Sequence, residues 1–210
     1  MDKKDRLAHV TDRVHDEGTL RIDDIASHYP ASPMTLYRDL QELENAGVLR
    51  RSRGYVTAVA TSITETSMSF RRDQEAQEKE ELAPAFESIL VRGTSVLLDD
   101  SSTALALIGA YTHVDGLTVI TNNRAILDLA MSVPAWDAIA LGGKLDRHLD
   151  AYYGSAGMTM LKGMSADVVI LSAAAITGGV VYHPYEEVAA YKALLLELSL
   201  IHISEPTRLL

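Results

Sequence analysis

The segment of the chain with the clearest chemistry covers residues 30–57, PASPMTLYRDLQELENAGVLRRSRGYVT. Leu36, Leu40 and Leu43 recur at i, i+4 and i+7, so they share one face of a helix that packs inward. The opposite face carries a single cation, Arg38, among amide side chains. Guanidinium and carboxamide groups suit the groove of a DNA duplex better than a protein core, so we interpret this helix as a recognition helix.

Both ends of this helix carry residues that helix ends favour. Ser32 is a good N-cap, and Pro33 stands at the first helical position, where its missing N–H costs nothing. Gly47 can end the helix. The sequence therefore predicts a helix that begins after Ser32 and stops near Gly47.

A basic two-stranded wing is predicted after the recognition helix. Arg50, Arg51 and Arg53 cluster beside a glycine, where a turn could hold their side chains against phosphates. Two amphipathic helices, over residues 4–17 and 22–29, precede the recognition helix. This is the element order of a winged helix-turn-helix.

Two groups of side chains are expected to contact DNA. Base edges in the major groove are assigned to Met34, Thr35, Tyr37, Arg38 and Gln41. Backbone phosphates are assigned to Ser32, Arg50, Arg51 and Arg53. The alternative is a winged helix that makes only protein contacts, and the arginine cluster argues against it.

Composition limits the class of protein. The chain has 210 residues, 47% of them hydrophobic, which fits one or two globular domains. It has no cysteine, which excludes disulfides and thiolate metal sites and fits a cytoplasmic location. The N-terminus lacks a signal-peptide pattern, and no apolar run of about 18 residues is present, so we expect no membrane span.

The charge distribution is uneven along the chain. A net charge of −10 argues, by itself, against nucleic-acid binding. Residues 1–58, however, hold nine Lys or Arg and ten Asp or Glu, so most of the negative charge lies beyond them. A nearly neutral head joined to an acidic body is compatible with a DNA-binding module on a sensor domain.

The second half of the chain alternates short apolar strands with helices. Strands are expected at 95–99, 117–121, 136–141 and 167–173, and helices at 102–111, 123–132, 155–164 and 186–197. This alternation predicts a mostly parallel α/β sheet covered on both faces. A helix over 77–91, kinked or started by Pro84, is expected to lead into it.

Polar loops follow the predicted strands, where ligands bind in such sheets. The first loop contains Asp99, Asp100, Ser101, Ser102 and Thr103 at the start of a helix. A helix start favours a phosphate, but a plain N-cap is the alternative, and the carboxylates would repel an anion unless they face its hydroxyls.

Three further groups could complete a pocket. Asn122 could bind a sugar hydroxyl or cap the next helix, and Gly142-Gly143-Lys144 could approach a ligand closely or form a plain turn. The later Glu187 and Lys192 could reach the same pocket. They stand five residues apart, so each is expected to have its own partner.

Enzyme and metal chemistry find little support in the sequence. The histidines show no HxxxH or HExxH spacing, there is no GxSxG elbow, and no nucleophile–base pair is evident. We therefore expect no metal, no cofactor and no catalytic residues. The alternative is a sugar-phosphate isomerase-like or acyl-transferase-like enzyme that uses the α/β domain.

The C-terminal string LSLIHISEPTR, residues 198–208, is what a DNA sequence resembling a transposase-based sequencing adapter would encode. We expect residues 198–210 to be a non-native tail and the natural chain to continue past Glu197. An ordinary amphipathic helix end is the alternative.

Several blocks in order resemble the DeoR family of bacterial transcription regulators. In the head, TLYRDLQELENAGVLRR is similar to the family pattern TIRRDL-x-x-LE-x-x-G-x-L-x-R, with Tyr37 in place of its first arginine. In the body the matching blocks are LLDDSSTALAL, LTVITNN, ALGGKLD, ADVVILSAAAITGG and EEVAAYK. Ser101 stands where many members have glycine in DSGTT.

The resemblance implies an organisation and a function. It implies a winged helix-turn-helix over 1–58, a linker over 59–78 and an effector-sensing domain over 79–197 with a fold similar to ribose-5-phosphate isomerase and CoA transferases. It also implies an oligomeric repressor of a carbohydrate catabolism operon, tuned by a phosphorylated sugar. The expected effector-binding residues are Asp99, Asp100, Ser101, Ser102, Thr103, Asn122, Gly142, Gly143, Lys144, Glu187 and Lys192.

Overall fold

The computed structural model describes residues 2–59, 66–73, 76–177, 180–198 and 202–206. The chain divides into two compact units, Met1–Asp73 and Gln74–Leu210. Each unit has its own buried apolar core.

The first unit is a winged helix-turn-helix. Its elements are α1 (Lys3–Glu17), β1 (Thr19–Arg21), α2 (Ile22–Ser27), α3 (Pro33–Asn45), β2 (Leu49–Ser52), β3 (Tyr55–Ala58) and α4 (Met68–Asp73). The strands form an antiparallel sheet in the order β1-β3-β2. The predicted helices and wing are confirmed, except that α2 ends at Ser27 rather than at residue 29.

Local signals fix the two longer helices of this unit. A capping box between Asp2 and Asp5 starts α1, and Gly18, with φ of 75°, ends it. Ser32 caps α3, with Pro33 inside its first turn, and Gly47 adopts φ of 78° just after it. The helix ends are therefore set where sequence chemistry places them.

Leucine spacing builds the core of the first unit. Leu36, Leu40 and Leu43 are all buried against Leu7 and Val10 of α1. The sequence did not predict β1, a three-residue strand, nor α4, which falls within the expected linker. Phe70 of α4 packs against this same core. Residues 60–65 and 74–75 of that expected linker lie outside the described residues.

The second unit is an α/β domain. Its helices are α5 (Ala76–Glu81), α6 (Ser102–Gly109), α7 (Arg124–Ser132), α8 (Ser155–Lys162) and α9 (Glu186–Glu197). Its strands are β4 (Ser95–Leu98), β5 (Thr118–Thr121), β6 (Asp137–Ala140), β7 (Lys144–Asp146), β8 (Ala151–Tyr153), β9 (Val168–Ala173), β10 (Ala175–Thr177), β11 (Val180–Tyr182) and β12 (His202–Pro206).

A five-stranded parallel sheet in the order β12-β9-β4-β5-β6 forms the centre of the domain. The unit has two buried apolar clusters, one on each face of the sheet. Val96 and Leu98 of β4 belong to one cluster, and Leu97 belongs to the other. Such double burial explains why the strands are apolar throughout. The predicted α/β class is confirmed.

The order of the strands creates a switch point. From β4 the chain proceeds to β5 and β6 on one side and returns with β9 on the other side of β4. In open α/β sheets, ligands bind outside the carboxyl ends of the strands at such a point.

Several parts of this domain differ from the sequence expectation. The helix predicted over 77–91 is replaced by α5 and a 3₁₀ turn, Ala83–Phe86, because Pro84 lacks the N–H that a continuous helix needs. The hairpins β7–β8 and β10–β11 fall in segments expected to be loops. Gly178 and Gly179, which end the block ADVVILSAAAITGG, lie outside the described residues.

The C-terminal strand β12 falls within the expected non-native tail. Its backbone pairs in parallel with β9 from His202 to Pro206, because an edge strand offers unpaired N–H and C=O groups to any extended segment nearby. Residues 199–201 and 207–210 of the tail lie outside the described residues, and its origin stays a prediction. Among the described helices, none is long and apolar enough to cross a bilayer.

Candidate functional site

The outer face of α3 is polar and exposed, as a surface that contacts DNA requires. Arg38 and Gln41 are exposed, while Met34 and Tyr37 are 80% and 49% accessible despite their apolar bodies. Thr35 is partly buried, and its N–H donates to the Ser32 hydroxyl at 3.3 Å. The five side chains assigned to base contacts therefore lie at or next to one accessible surface.

The three wing arginines do not form one cluster. Alternate residues of β2 point to opposite faces, so Leu49 and Arg51 turn inward while Arg50 is exposed on the other face. Arg53 lies at the tip of the wing with φ of 49°, followed by Gly54 with φ of 83°. Positive φ at both turn residues matches the tight hairpins that right-handed strand twist favours.

Arg51 is bound to the recognition helix. Its backbone N–H donates to Glu44 Oε1 and its Nε to Glu44 Oε2, each at 2.8 Å, and its Nη2 reaches Gln41 Oε1. These hydrogen bonds from Arg51 lower the pKa of Glu44. Gln41 Nε2 in turn donates to Asn45 Oδ1 at 2.9 Å.

A buried carboxylate fixes the orientation of α3. Asp39 is 1% accessible, and its Oδ2 accepts from Arg6 Nε at 2.8 Å and from Tyr29 Oη at 2.7 Å. Burial, followed by the bond to Asp39, raises the pKa of Tyr29 to about 12. Sequence reasoning missed this group, although an acid next to Leu40 on an apolar helical face was the available signal.

The switch point between β4 and β9 holds a buried cation between two acids. Lys192 Nζ lies 2.5 Å from Asp99 Oδ2 and 3.1 Å from Asp100 Oδ1, and all three side chains are almost fully buried. Asp99 also accepts from the N–H of Ser101 at 2.9 Å and of Ser172 at 2.7 Å. The lysine of α9 thereby binds the loop after β4.

The helix after this loop presents its N-terminus at the same edge. Ser101 caps α6, and its hydroxyl accepts from the N–H of Ala104 at 2.9 Å. The N–H groups of Ser102 and Thr103 have no acceptor within the helix, as in any first turn. These two donors follow Asp100 closely in the chain, and its negative charge would repel an anion bound there. Lys192 reduces this repulsion because its ammonium pairs with both carboxylates.

Two asparagines line the adjoining strand end. Asn122 Nδ2 donates to Tyr152 O at 3.0 Å, and Asn123 caps α7 through the N–H of Ile126. Both side chains are fully buried, yet Asn122 Oδ1 and Asn123 Nδ2 have no hydrogen-bond partner. Buried polar atoms are normally paired, so these two are candidates for contacts with a ligand.

Tyr191, the neighbour of Lys192 on α9, adds a third such group. Its hydroxyl is buried and has no hydrogen-bond partner. Burial, with the negative charges of Asp100 and Asp99, raises the pKa of Tyr191. Its ring packs edge-on against Tyr153, with centroids 5.5 Å apart. The hydroxyl is therefore a neutral polar group at the wall of the acidic cluster.

The paired glycines serve close packing. A Cβ on Gly143 would lie 2.2 Å from Tyr153 O, and a Cβ on Gly157 would lie 2.5 Å from Gly142 O. Lys144 begins β7 and is exposed, and Glu187 is exposed in the first turn of α9. These two residues thus lie on the surface, whereas Asp99, Asp100, Asn122 and Lys192 are buried.

The loop between β7 and β8 is tied to α7. Asp150, with φ of 54°, accepts from Arg124 Nε at 2.7 Å, and its carbonyl accepts from the Arg124 N–H at 2.9 Å. Asp146 closes its own turn by accepting from the N–H of His148 and Leu149. In the described part of the chain, no group of three or more His, Asp or Glu could hold a metal ion.

Comparison with known proteins matches this architecture to one family. Residues 6–62 match the DeoR-like helix-turn-helix domain, and residues 74–201 match the DeoR C terminal sensor domain. The second match alone covers more than half of the chain.

Curated relatives agree with these matches. The transcriptional repressor AccR of Agrobacterium fabrum is 28% identical over 173 residues, which are 82% of this chain and 67% of that protein. The glycerol-3-phosphate regulon repressor of Escherichia coli is 24% identical over 197 residues, 93% of this chain and 78% of that protein. The lactose phosphotransferase system repressor of Staphylococcus aureus is 26% identical over 184 residues, 86% of this chain and 73% of that protein.

The chain spans about two thirds of the length of AccR. Both matching domains and all three relatives are transcriptional regulators, which decides against the enzyme alternative. The exposed polar face of α3 and the wing belong to a DNA-binding head, and the α/β domain that follows is a sensor body. The chain is therefore a member of the DeoR family.

Proposed function

We propose that this regulator represses an operon for carbohydrate use by binding its operator through α3 and the wing. The observation that carries this proposal is the exposed polar face of α3, which presents Arg38 and Gln41, while leucines bury the opposite face of the helix. Relatives that repress a glycerol-3-phosphate regulon and a lactose phosphotransferase system favour a carbohydrate-related target.

Contacts with DNA divide into two kinds. Met34, Thr35, Tyr37, Arg38 and Gln41 are proposed to meet base edges in the major groove. Ser32 at the N-terminus of α3, Arg50 on the outer face of β2 and Arg53 at the wing tip are proposed to hold phosphates. Because Asp39 anchors α3 to Arg6 and Tyr29, the helix meets the groove at a fixed angle.

The switch point of the sensor domain is proposed to bind a phosphorylated sugar. The N–H groups of Ser102 and Thr103 suit its phosphate, because the start of α6 is an anion-binding position. The unpartnered Asn122 Oδ1 and the Asp99–Asp100 pair suit its hydroxyls, since carboxylate and amide oxygens accept hydrogen bonds. Gly142, Gly143 and the exposed Lys144 and Glu187 would border the opening.

Sugar binding would alter DNA affinity through the differential contacts of two states. A coupling of the usual size changes operator affinity by about 5- to 150-fold. Binding to chromosomal DNA would place the protein in the cytoplasm. We propose a homo-oligomer as the active form, because symmetric oligomers match repeated operator half-sites.

The DNA-binding proposal is tested with duplex DNA from the region upstream of the native gene. Arg38→Ala should weaken specific binding by about 5- to 150-fold, the range for one good base contact. The matched control is Arg92→Ala, which removes the same charge from an exposed position in the sensor unit. Equal binding by wild type and Arg38→Ala would remove the assignment of α3 to the groove.

Sugar binding is tested by calorimetry with pentose and hexose phosphates and with the same sugars lacking phosphate. Only the phosphorylated forms should bind, and Asn122→Ala should weaken the best of them. Binding of both forms alike would exclude a phosphate subsite at α6.

A further inference from the structure

A series of hydrogen bonds joins the wing to the recognition helix. It links Arg51 of β2 to Glu44 and Gln41 of α3, and Gln41 to Asn45 of the same helix. Arg51 holds the Glu44 carboxylate through its backbone N–H and its Nε, at 2.8 Å each. Its Nη2 donates to Gln41 Oε1, and Gln41 Nε2 donates to Asn45 Oδ1 at 2.9 Å. The carboxamide of Gln41 is therefore held at both ends.

We propose that Arg51 is a positioning residue for base recognition: it fixes the Gln41 carboxamide in one orientation, so that Gln41 selects an adenine. The inference rests on the proposed function, because it needs α3 in the major groove. It removes Arg51 from the phosphate contacts expected from sequence and assigns it a role through Gln41.

The remaining valences of Gln41 match adenine. An amide oxygen has two acceptor sites and an amide nitrogen has two hydrogens. The bonds with Arg51 and Asn45 use one acceptor site and one hydrogen of Gln41. The free acceptor and the free donor are what a glutamine needs to bind adenine N6 and N7 together. A flipped amide would place its NH₂ against the Arg51 guanidinium, donor against donor, so the orientation is fixed.

Charge and burial argue against a phosphate contact by Arg51. Its side chain is 22% accessible, and the pair with Glu44 has no net charge. If Arg51 turned to a phosphate, the Glu44 carboxylate would remain unpaired on the helix that faces DNA. Arg50, which is exposed on the opposite face of β2, has no such constraint and serves as the matched comparison.

The test is selection of binding sites from a randomised double-stranded DNA library by the whole chain. Variants are Gln41→Ala, the charge-neutral double variant Glu44→Gln/Arg51→Met, and Arg50→Met as control. Gln41→Ala should lose the preference for adenine at one or two positions of the selected site. The double variant should lose the same preference by about 5-fold or more, the lower end of a bidentate base contact.

Salt dependence separates positioning from phosphate binding. The double variant should keep the wild-type slope of log affinity against log salt, whereas Arg50→Met should reduce that slope by about 0.9 and keep the adenine preference. A reduced slope in the double variant with an unchanged preference would overturn the proposal. Equal weakening on all sequences together with a lowered melting temperature would also overturn it, since that is a purely structural role.

A further variant protects the test against misfolding. Arg51→Lys keeps the charge but cannot hold Glu44 and Gln41 together, so it should relax the adenine preference as well. Wild-type protein that enriches no sequence would instead remove the proposed function, and this inference with it.

Discussion

Lys192 on α9 reaches across the switch point to Asp99 after β4, with 2.5 Å between Nζ and Oδ2, and both side chains are almost fully buried. The same ammonium lies 3.1 Å from Asp100 Oδ1. Residues almost a hundred positions apart therefore form one charged cluster, and the cluster joins the last described helix to the centre of the sheet.

Lys192→Met is expected to lower the free energy of unfolding of the sensor unit by about 3–5 kcal/mol, because two buried carboxylates lose their cation. Trp136, the sole tryptophan, is buried in the core of this unit, so its fluorescence in urea reports on the sensor. Lys162→Met, at an exposed position on α8, should change the same quantity by less than about 0.5 kcal/mol. Similar effects of the two variants would show that the cluster adds no stability.

Gly143→Ala is expected to destabilise the sensor unit by about 2 kcal/mol or more, since its Cβ would meet the backbone oxygen of Tyr153 at 2.2 Å. Gly142→Ala provides the control, because nothing lies within 4 Å of a Cβ there. Urea unfolding followed by Trp136 fluorescence compares the two. A neutral Gly143→Ala would mean that β7 and β8 can separate without cost.

Tyr29 makes the stability of the first unit depend on alkaline pH. Its pKa is about 12 in the folded unit against 10.0 for the free side chain. The protonated form is thus favoured by folding, so this contribution is complete below pH 10 and is lost as pH rises through about 12.

Tyr29→Phe should remove this alkaline loss of stability, whereas Tyr55→Phe, at an exposed position of the wing, should keep it. The measurement is thermal unfolding at pH 8 to 11.5, followed by circular dichroism and by Trp136 fluorescence. Trp136 lies in the second unit, so the transition that appears only in circular dichroism is that of the first unit. An identical pH profile for wild type and Tyr29→Phe would contradict the role of the Asp39 site.

Arg53 occupies a left-handed backbone conformation, with φ of 49°, that costs an ordinary residue about 1–2 kcal/mol. Arg53→Gly should therefore stabilise the first unit while weakening DNA binding and reducing the salt slope by about 0.9. Arg53→Lys, which keeps both the charge and the strain, is the control. Undiminished DNA binding by Arg53→Gly would exclude a phosphate contact at the wing tip.

The type of each helix and strand and its buried face were predictable, because they depend on residues close together in the sequence. Leucine spacing in α3 and the Ser32-Pro33 pair specify a helix, its buried face and its start. Apolar runs separated by polar loops likewise specify the strands of a parallel sheet. Segments without a periodic signal, such as the three-residue strands β7 and β8, were missed because their pairing depends on a partner rather than on their own pattern.

The sequence by itself determined a winged head, an α/β body and the loops that could hold a ligand. Only the tertiary structure decided that Arg51 faces Glu44 while Arg50 faces outward, since strand register rather than composition sets which way each side chain points. It alone decided that Lys192 neutralises Asp99 and Asp100, because the order of strands in the sheet brings α9 against the loop after β4. Local chemistry fixes the elements, and the long-range packing of those elements fixes which charges meet.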